Sequence, residues 1–269
     1  MMEATIALLF GLLIGSFLNV CIYRWPLDLS VVKPRSHCVS CQKTIAWYDN
    51  IPLVSFVVLG GQCRYCHAGI SFRYPVVELT TGLLFFYWVF IAGLTLLAVK
   101  MCIFTGMLVA LVFCDLEERI LPDEFTLGGT LVALVIAAFV PVPDATAPAL
   151  LWMMGVHPPE RVGWVLEAAL GAGLPAFFLW GGGWLYEKVR HREGLGLGDV
   201  KLIAMVGAFL GMRDALLTLI VGSLSGSILG YTYIKLTHKD ASTYELPFGT
   251  FLGLAALLFA FTGGKMAGW

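Results

Sequence analysis

Charge is what this chain has least of: 13% of its 269 residues are Asp, Glu, Lys or Arg and 59% are hydrophobic, where a soluble domain carries about 25% charged and roughly 45–50% apolar residues. Mean hydropathy is +0.85. There is too little charge to cover a surface in water, so a soluble globular protein is excluded. Neither sign is in excess, the net charge being −1, and the basic signature of a nucleic-acid binder is missing. The aliphatic and aromatic content is too high for a disordered chain. The parts of a cleaved signal peptide are missing too: Glu3 stands where a basic segment belongs, and no small-residue cleavage site follows the first apolar run. That run is read as a retained span.

Long apolar runs are what the chain does have. A hydrocarbon core of about 30 Å takes roughly 20 residues of helix. Eight runs approach that length, at 4–23, 80–97, 100–114, 125–141, 164–184, 199–212, 214–235 and 247–264. The expectation is an all-α polytopic membrane protein of about eight transmembrane helices. Lys and Arg fall unevenly between its loops, thirteen on one side against Lys100, Arg161, Arg213 and Lys265 on the other. The positive-inside rule then puts the loops after the first, third, fifth and seventh runs in the cytoplasm. The first of these is long enough to be a small domain. The chain accordingly divides into a first helix (1–23), a cytoplasmic four-cysteine domain (24–79) and a seven-helix membrane domain (80–269). The proline-bearing stretch 141–163 is expected to be an external linker with little regular structure. Glycines four apart, Gly11/Gly15, Gly207/Gly211 and Gly222/Gly226/Gly230, are read as close helix packing.

Within the first loop, Cys38-Val39-Ser40-Cys41 and Cys63-Arg64-Tyr65-Cys66 form two CxxC pairs separated by 21 residues, the spacing of a zinc-ribbon-like four-thiolate site. Zinc suits four soft ligands and needs no redox change. Gly69 is expected to supply a tight turn beside the second pair. Four thiolates close the coordination sphere, so the metal would be structural and would fold a loop too poor in core to fold alone. Two disulfides are the competing reading, disfavoured by a reducing cytoplasm. Cys21, Cys102 and Cys114 follow no spacing and read as small buried apolar residues. His37 and His67 adjoin the pairs and read as loop residues.

Asp115 ends the run Leu111-Val112-Phe113-Cys114, at the end of a helix whose dipole opposes a negative charge, so capping does not explain it. Asp199 closes the run Gly194-Leu195-Gly196-Leu197-Gly198. A helix cap would account for Asp199 alone, but the glycines before it leave bare backbone that a substrate strand can approach. Both sit at the cytoplasmic ends of apolar runs, where two carboxyl groups sharing one proton can serve as general base and general acid on a water attacking a peptide carbonyl. Ionisable residues inside a membrane are functional candidates by default. Asp123 is a competitor, and its place after Leu121-Pro122 suits an N-cap. Residues 115–124 hold five acids and one base, a net charge of −4; this is either a solvated face or a receiver for a basic substrate segment.

Gly-Leu-Gly-Asp-Val-Lys at 196–201, the Asp115 segment with Leu121-Pro122-Asp123, and the two CxxC pairs resemble the bacterial type IV prepilin peptidases, the GxGD aspartic leader peptidase/N-methyltransferases. Gly15-Ser16-Phe17-Leu18-Asn19-Val20, Asp49-Asn50-Ile51-Pro52, Arg73-Tyr74-Pro75-Val76-Val77-Glu78 and Glu245-Leu246-Pro247-Phe248-Gly249 extend the resemblance over most of the chain. It implies an eight-span aspartic endopeptidase with Asp115 and Asp199 as the dyad. Its substrates would be prepilins or pseudopilins, cut after Gly on the cytoplasmic side of the inner membrane, serving pilus or type II secretion machinery. It also implies methylation of the new N-terminus from S-adenosylmethionine, for which no binding residue is assigned. The glycine run at 194–198 follows a membrane span and not a strand, so it is no Rossmann fingerprint; the polar residues near the cysteines and Glu78 are where a donor site would be sought. Two positions depart from the family: an insertion-like 141–163, and Thr250 where many members have Pro.

Three rivals remain at this level. A non-methylating GxGD membrane protease would lack the cysteine loop. A transporter would need charges at mid-span on broken helices. A non-catalytic assembly factor would use the cysteine loop for docking.

Overall fold

Every expected apolar run is helical. In a computed structural model the protein is described over residues 1–191, 195–237 and 246–266. Gly194, Glu245 and the counted Arg192 and Lys239 lie outside the described residues, as does the side chain of Lys265. The helices are α1 (Met2–Arg24), the short α2 (Val54–Val58), α3 (Arg73–Ala92), α4 (Leu96–Glu118), α5 (Asp123–Ala137), α6 (Thr146–Met153), α7 (Glu160–Arg190), α8 (Leu197–Leu210), α9 (Met212–Thr237) and α10 (Phe248–Met266). Five are long and apolar enough to cross a membrane: Met2–Leu27, Arg73–Ala92, Leu96–Glu118, Glu160–Arg190 and Met212–Thr237. The apolar part of α10, Phe248–Thr262, is shorter, and α5 and α8 have 15 and 14 residues.

Several boundaries differ from the hydropathy reading, each for a local reason. That reading carried the second run to 97 and cut at Lys100. The chain turns earlier, at Gly93 with φ 66, and the Ala98 N–H donates to Thr95 Oγ1 at 3.2 Å as α4 begins. Lys100 is thus a fully buried helix residue and not a loop charge, which leaves thirteen basic residues against three. At its start α3 reaches back to Arg73 instead of 80. Pro75 falls in its first turn, where a missing N–H is harmless, and Glu78 is on a buried face. The stretch 141–163 was expected to lack regular structure, but it contains α6. Asp144 Oδ1 accepts the Ala145 and Thr146 N–H groups and the Thr146 hydroxyl and so starts a helix that proline content alone obscures.

The chain forms two compact units, Met1–Ala110 and Leu111–Trp269. In the first, α1 packs along α3 because Gly11 and Gly15 offer bare backbone to Gly82 and Glu78. A Cβ at Gly15 would lie 2.7 Å from the Glu78 Cα. Asn19 Nδ2 donates to the Tyr74 carbonyl at 3.1 Å. In the second unit α8 is the axis, packed on α5, α7, α9 and α10, and its residues from Met205 to Leu210 are all buried. Pro175 inside α7 deprives the Gly171 carbonyl of its helical donor, and Gly207 of α8 packs directly on that carbonyl. Gly222, Gly226 and Gly230 of α9 receive Leu252, Phe251 and Leu246, so the small-residue stripe is a packing face. Gly211 has another use: it lies between α8 and α9 at φ 97, and a Cβ there would strike Asp144. Fully buried Glu167 accepts the Met212 N–H at 3.0 Å and the Ala147 N–H, and Asp144 Oδ2 accepts the Arg213 N–H at 2.7 Å. Three separate segments are thereby tied at one end of the unit.

Candidate active site and metal centre

The residues that carry chemistry gather in two places, one in each unit. In the first unit, residues 37–44 and 62–69 fold into the same eight-residue hairpin. Each is closed by an isolated bridge, His37 to Thr44 and Gln62 to Gly69. In each, the first cysteine's N–H bonds a carbonyl five residues on, Cys38 to Lys43 and Cys63 to Ala68, both at 2.9 Å. The residue after each second cysteine turns left-handed, Gln42 at φ 57 and His67 at φ 56. The tight turn expected at Gly69 is therefore made at His67, and Gly69 closes the bridge. Only the CxxC spacing of this local repeat was visible in the sequence, because the other positions of the two hairpins share no residues.

The hairpins bring Cys38, Cys41, Cys63 and Cys66 together with all four sulfurs within 4.8 Å of one another. Cys38 and Cys66 lie 3.7 Å apart, Cys41 and Cys63 4.0 Å. A tetrahedron of Zn–S bonds of about 2.3 Å has edges of about 3.8 Å, so the cage fits such an ion. No disulfide links the cysteines. Backbone N–H groups of Cys41 and Ser40 point at the Cys38 sulfur and hold its thiol down at about 6. Those of Cys66 and Tyr65 lower Cys63 likewise. Cys66 rises to about 11 through desolvation and the other three sulfurs, the crowding that a bound cation relieves. His37 and His67 are not part of the cage, and Cys21, Cys102 and Cys114 are buried apart from it.

Around the cage, Arg64 donates through Nε to Asp49 at 2.7 Å and through Nη2 at 2.5 Å, a bidentate pair that holds the Asp49 carboxyl below its ordinary range. Next to it, Leu53 sits at φ 59, ψ −46, with the Val54 N–H bonded to the Pro52 carbonyl at 2.6 Å. This is a γ-turn of the strained hand. Glu78 holds it by accepting the Leu53 N–H at 2.8 Å. The blocks at 15–20, 49–52 and 73–78 thus meet in one place.

In the second unit, Asp115 is in the last turn of α4 and only 5% exposed. Its Oδ2 accepts both the Thr250 N–H at 2.6 Å and the Thr250 hydroxyl at 2.8 Å. Asp199 is in the first turn of α8, whose N-cap is Gly196, so it does not cap the helix. Its carboxylate has no hydrogen bond or ion pair among the described residues. The charge of Asp115 acts on Asp199, which brings the two sequence candidates into one site. Leu121 lies between Gly198 and Gly249, whose added Cβ atoms would meet it at 3.2 and 2.9 Å, and Gly249 would also meet the Asp115 carboxyl carbon at 3.1 Å. Asp123, the competitor of Asp115 in the sequence, does not cap α5. Pro122 is the N-cap, and the exposed Asp123 carboxylate pairs with Lys201 Nζ at 2.6 and 2.9 Å. Glu117, Glu118 and Glu124 are exposed around the buried Asp115. Sequence reasoning missed Thr250 as a partner of Asp115; its one signal was its place in the Leu246–Thr250 segment, where it had been noted only as a departure.

Residues 9–92 match the profile of the bacterial peptidase A24 N-terminal domain and residues 102–231 that of the type IV leader peptidase family. A prepilin leader peptidase/N-methyltransferase of Pseudomonas aeruginosa is 33% identical over 96% of this chain and 90% of its own length. The chain belongs to the type IV leader peptidase family. A relative of the same description from Myxococcus xanthus is 39% identical over 87% of this chain, and the chain spans 64% of that relative's length. One from Legionella pneumophila is 31% identical over 97% of this chain. No solved structure matches the chain. Membership places this multi-pass leader peptidase among hydrolases, with both groups of residues inside the two matched regions except Gly249 and Thr250, which follow the second.

Proposed function

We propose that the protein is an aspartic endopeptidase that removes the basic leader of type IV prepilins or pseudopilins, with Asp115 and Asp199 as its catalytic pair, and that it methylates the new N-terminal residue. One observation carries the reading: two carboxyl groups from different helices, neither used as a cap or in an ion pair, are near enough for one charge to act on the other. With one proton between them, the ionised carboxylate takes a proton from a water, which attacks the scissile carbonyl carbon. The protonated partner gives its proton to the carbonyl oxygen. Collapse of the tetrahedral carbon breaks the C–N bond as one of its hydroxyls returns a proton to the partner carboxylate, and the leaving amine takes the proton removed from water. Thr250 holds Asp115 in one orientation. A substrate helix has to unwind locally because it shields its own carbonyls, and glycine before the cut lowers that cost by about 1 kcal/mol relative to alanine. The exposed acids Glu117, Glu118 and Glu124 complement a basic leader.

The asymmetry of thirteen basic residues against three supports a cytoplasmic site at an inner membrane. The four-sulfur cage is read as a structural zinc site held by Cys38, Cys41, Cys63 and Cys66, with no open position for catalysis. Methylation is supported by the names of the relatives, which are N-methyltransferases. S-adenosylmethionine would supply an electrophilic methyl group for the new amine. Its sulfonium and ammonium outweigh its carboxylate, and a cavity in the first unit is lined by arginines and no carboxylate. That cavity does not fit this cation, so no donor pocket is assigned.

The deciding experiment is a mass spectrum of a prepilin incubated with the purified protein and S-adenosylmethionine. A shortened, singly methylated product is expected. Asp115→Asn and Asp199→Asn are each expected to slow cleavage by about 10²–10⁴-fold, the worth of a positioned acid or base. Full cleavage by both variants would overturn the dyad in favour of a docking role.

A further inference from the structure

The charge of one cavity is unbalanced. It has a volume of about 390 Å3 and is bounded by α1 and by residues within 31–36 and 45–50, a size within the roughly 300–1,000 Å3 of small-ligand sites. One wall is apolar. Leu13, Phe17 and Val20 line it, at positions i, i+4 and i+7 on one helix face, and Leu13 and Phe17 are exposed. Arg24 continues the same face four residues on, about 16 Å along the axis from Leu13, and also lines the cavity.

Arg24 is only 6% exposed. Its Nη1 and Nη2 donate to the Ser30 and Pro34 carbonyls at 2.8 and 2.7 Å, which uses two of a guanidinium's five N–H donors. No carboxylate pairs with it among the described residues. A buried charge without a counter-charge is costly, and the lining supplies none: it adds a second cation, Arg35, and no acid. Exposed Arg35 makes no side-chain hydrogen bond or ion pair among the described residues. The missing component is an anion, and the stripe from Leu13 to Val20 calls for an apolar tail attached to it. Arg24 lies in the last turn of a candidate span, the depth at which lipid headgroups sit.

We propose that this cavity binds an anionic phospholipid, its phosphate on Arg24 and Arg35 and an acyl chain along Leu13, Phe17 and Val20. The inference rests on α1 crossing the membrane and is independent of the peptidase reading. The test is native mass spectrometry of the full-length protein, delipidated in detergent and titrated separately with phosphatidylglycerol, phosphatidylcholine and inorganic phosphate. Phosphatidylglycerol should be retained as a one-to-one adduct about fivefold or more over phosphatidylcholine. Arg35→Gln should lower that retention about fivefold, the worth of one basic contact at a membrane surface. Arg35 is the position to vary because Arg24 also holds the chain at Ser30 and Pro34. Equal retention of the two lipids, or full retention by Arg35→Gln, overturns the proposal. Displacement of the lipid by equimolar inorganic phosphate overturns it in favour of a free-anion site.

Discussion

Thr250 is one of the two places, with 141–163, at which the sequence is read as departing from the family it resembles. Proline at that position would have no N–H to give, whereas threonine donates both N–H and hydroxyl to one oxygen of Asp115. Thr250→Val keeps the backbone donor and loses the hydroxyl, so the turnover rate should fall about tenfold, from the loss of one hydrogen bond worth roughly 1–1.5 kcal/mol. KM should hold, and Thr250→Ser should restore the rate. Steady-state cleavage of a prepilin peptide measures both, and a fall in Thr250→Val that serine does not rescue would place the role in packing. The two carboxyl groups were legible in the sequence because each broke a local expectation: Asp115 opposed a helix dipole, and Asp199 followed a run of glycines. Thr250 broke none, since its role depends on a contact spanning 135 positions of chain. Asp123 was misread for the opposite reason. A Pro-Asp start resembles a cap, but Pro122 is the N-cap, so Asp123 is already the first helical residue and its carboxylate pairs with Lys201.

The cysteine hairpins are the element whose four-sulfur cluster was most legible, because CxxC spacing is set by the reach of two thiolates to one ion. Their matching backbone was not, since left-handed Gln42 and His67 carry none of the glycine that usually marks such a turn. Cys41→Ser should lower bound zinc below one per chain, and a chelator should shift the emission of Trp47 while leaving the helical far-ultraviolet signal of the spans intact. Elemental analysis and fluorescence test this together. The Asp49–Arg64 pair gives a pH expectation. Its lowered carboxyl contributes stability that is fully present above the unfolded value of about 3.9 and is lost as pH falls through the lower folded value. Acidification from pH 7 to 5 should therefore leave the module's response to Asp49→Asn unchanged, and the difference between wild type and variant should close only below about pH 4. The Arg64 side chain is exposed to solvent, which screens the pair, so the effect is small. The helix α6 shows the limit of composition: five prolines in and around it read as a linker, while the Asp144 contacts that accompany its start are not visible in composition.

At the scale of the whole molecule, each of the eight runs holds a helix among the described residues, five of them long enough to cross a membrane, yet the cut between the second and third was misplaced. Hydropathy sees Lys100 as an interruption, while the backbone turns at Gly93. Burial of that lysine strengthens the inside-positive asymmetry, which predicts that an epitope inserted at Gly155 is reached by antibody on intact cells and one inserted at His191 only after the membrane is opened. The reverse pattern would invert the topology and with it the side of the dyad. The two family regions, 9–92 and 102–231, invite dissection into separately made halves. A continuous α4 forbids a clean one. A break at the turn after Gly93 would take Gly106 away from Phe85, beside which it lies in the first unit. A break where the compact units part, after Ala110, would leave Asp115 on an eight-residue remnant of the helix, Leu111–Glu118, shorter than the ~12–15 residues at which an isolated helix becomes even marginal in water. Two halves split at either point and made together are therefore expected to cleave a prepilin far more slowly than the intact chain, which an activity assay of the split protein measures.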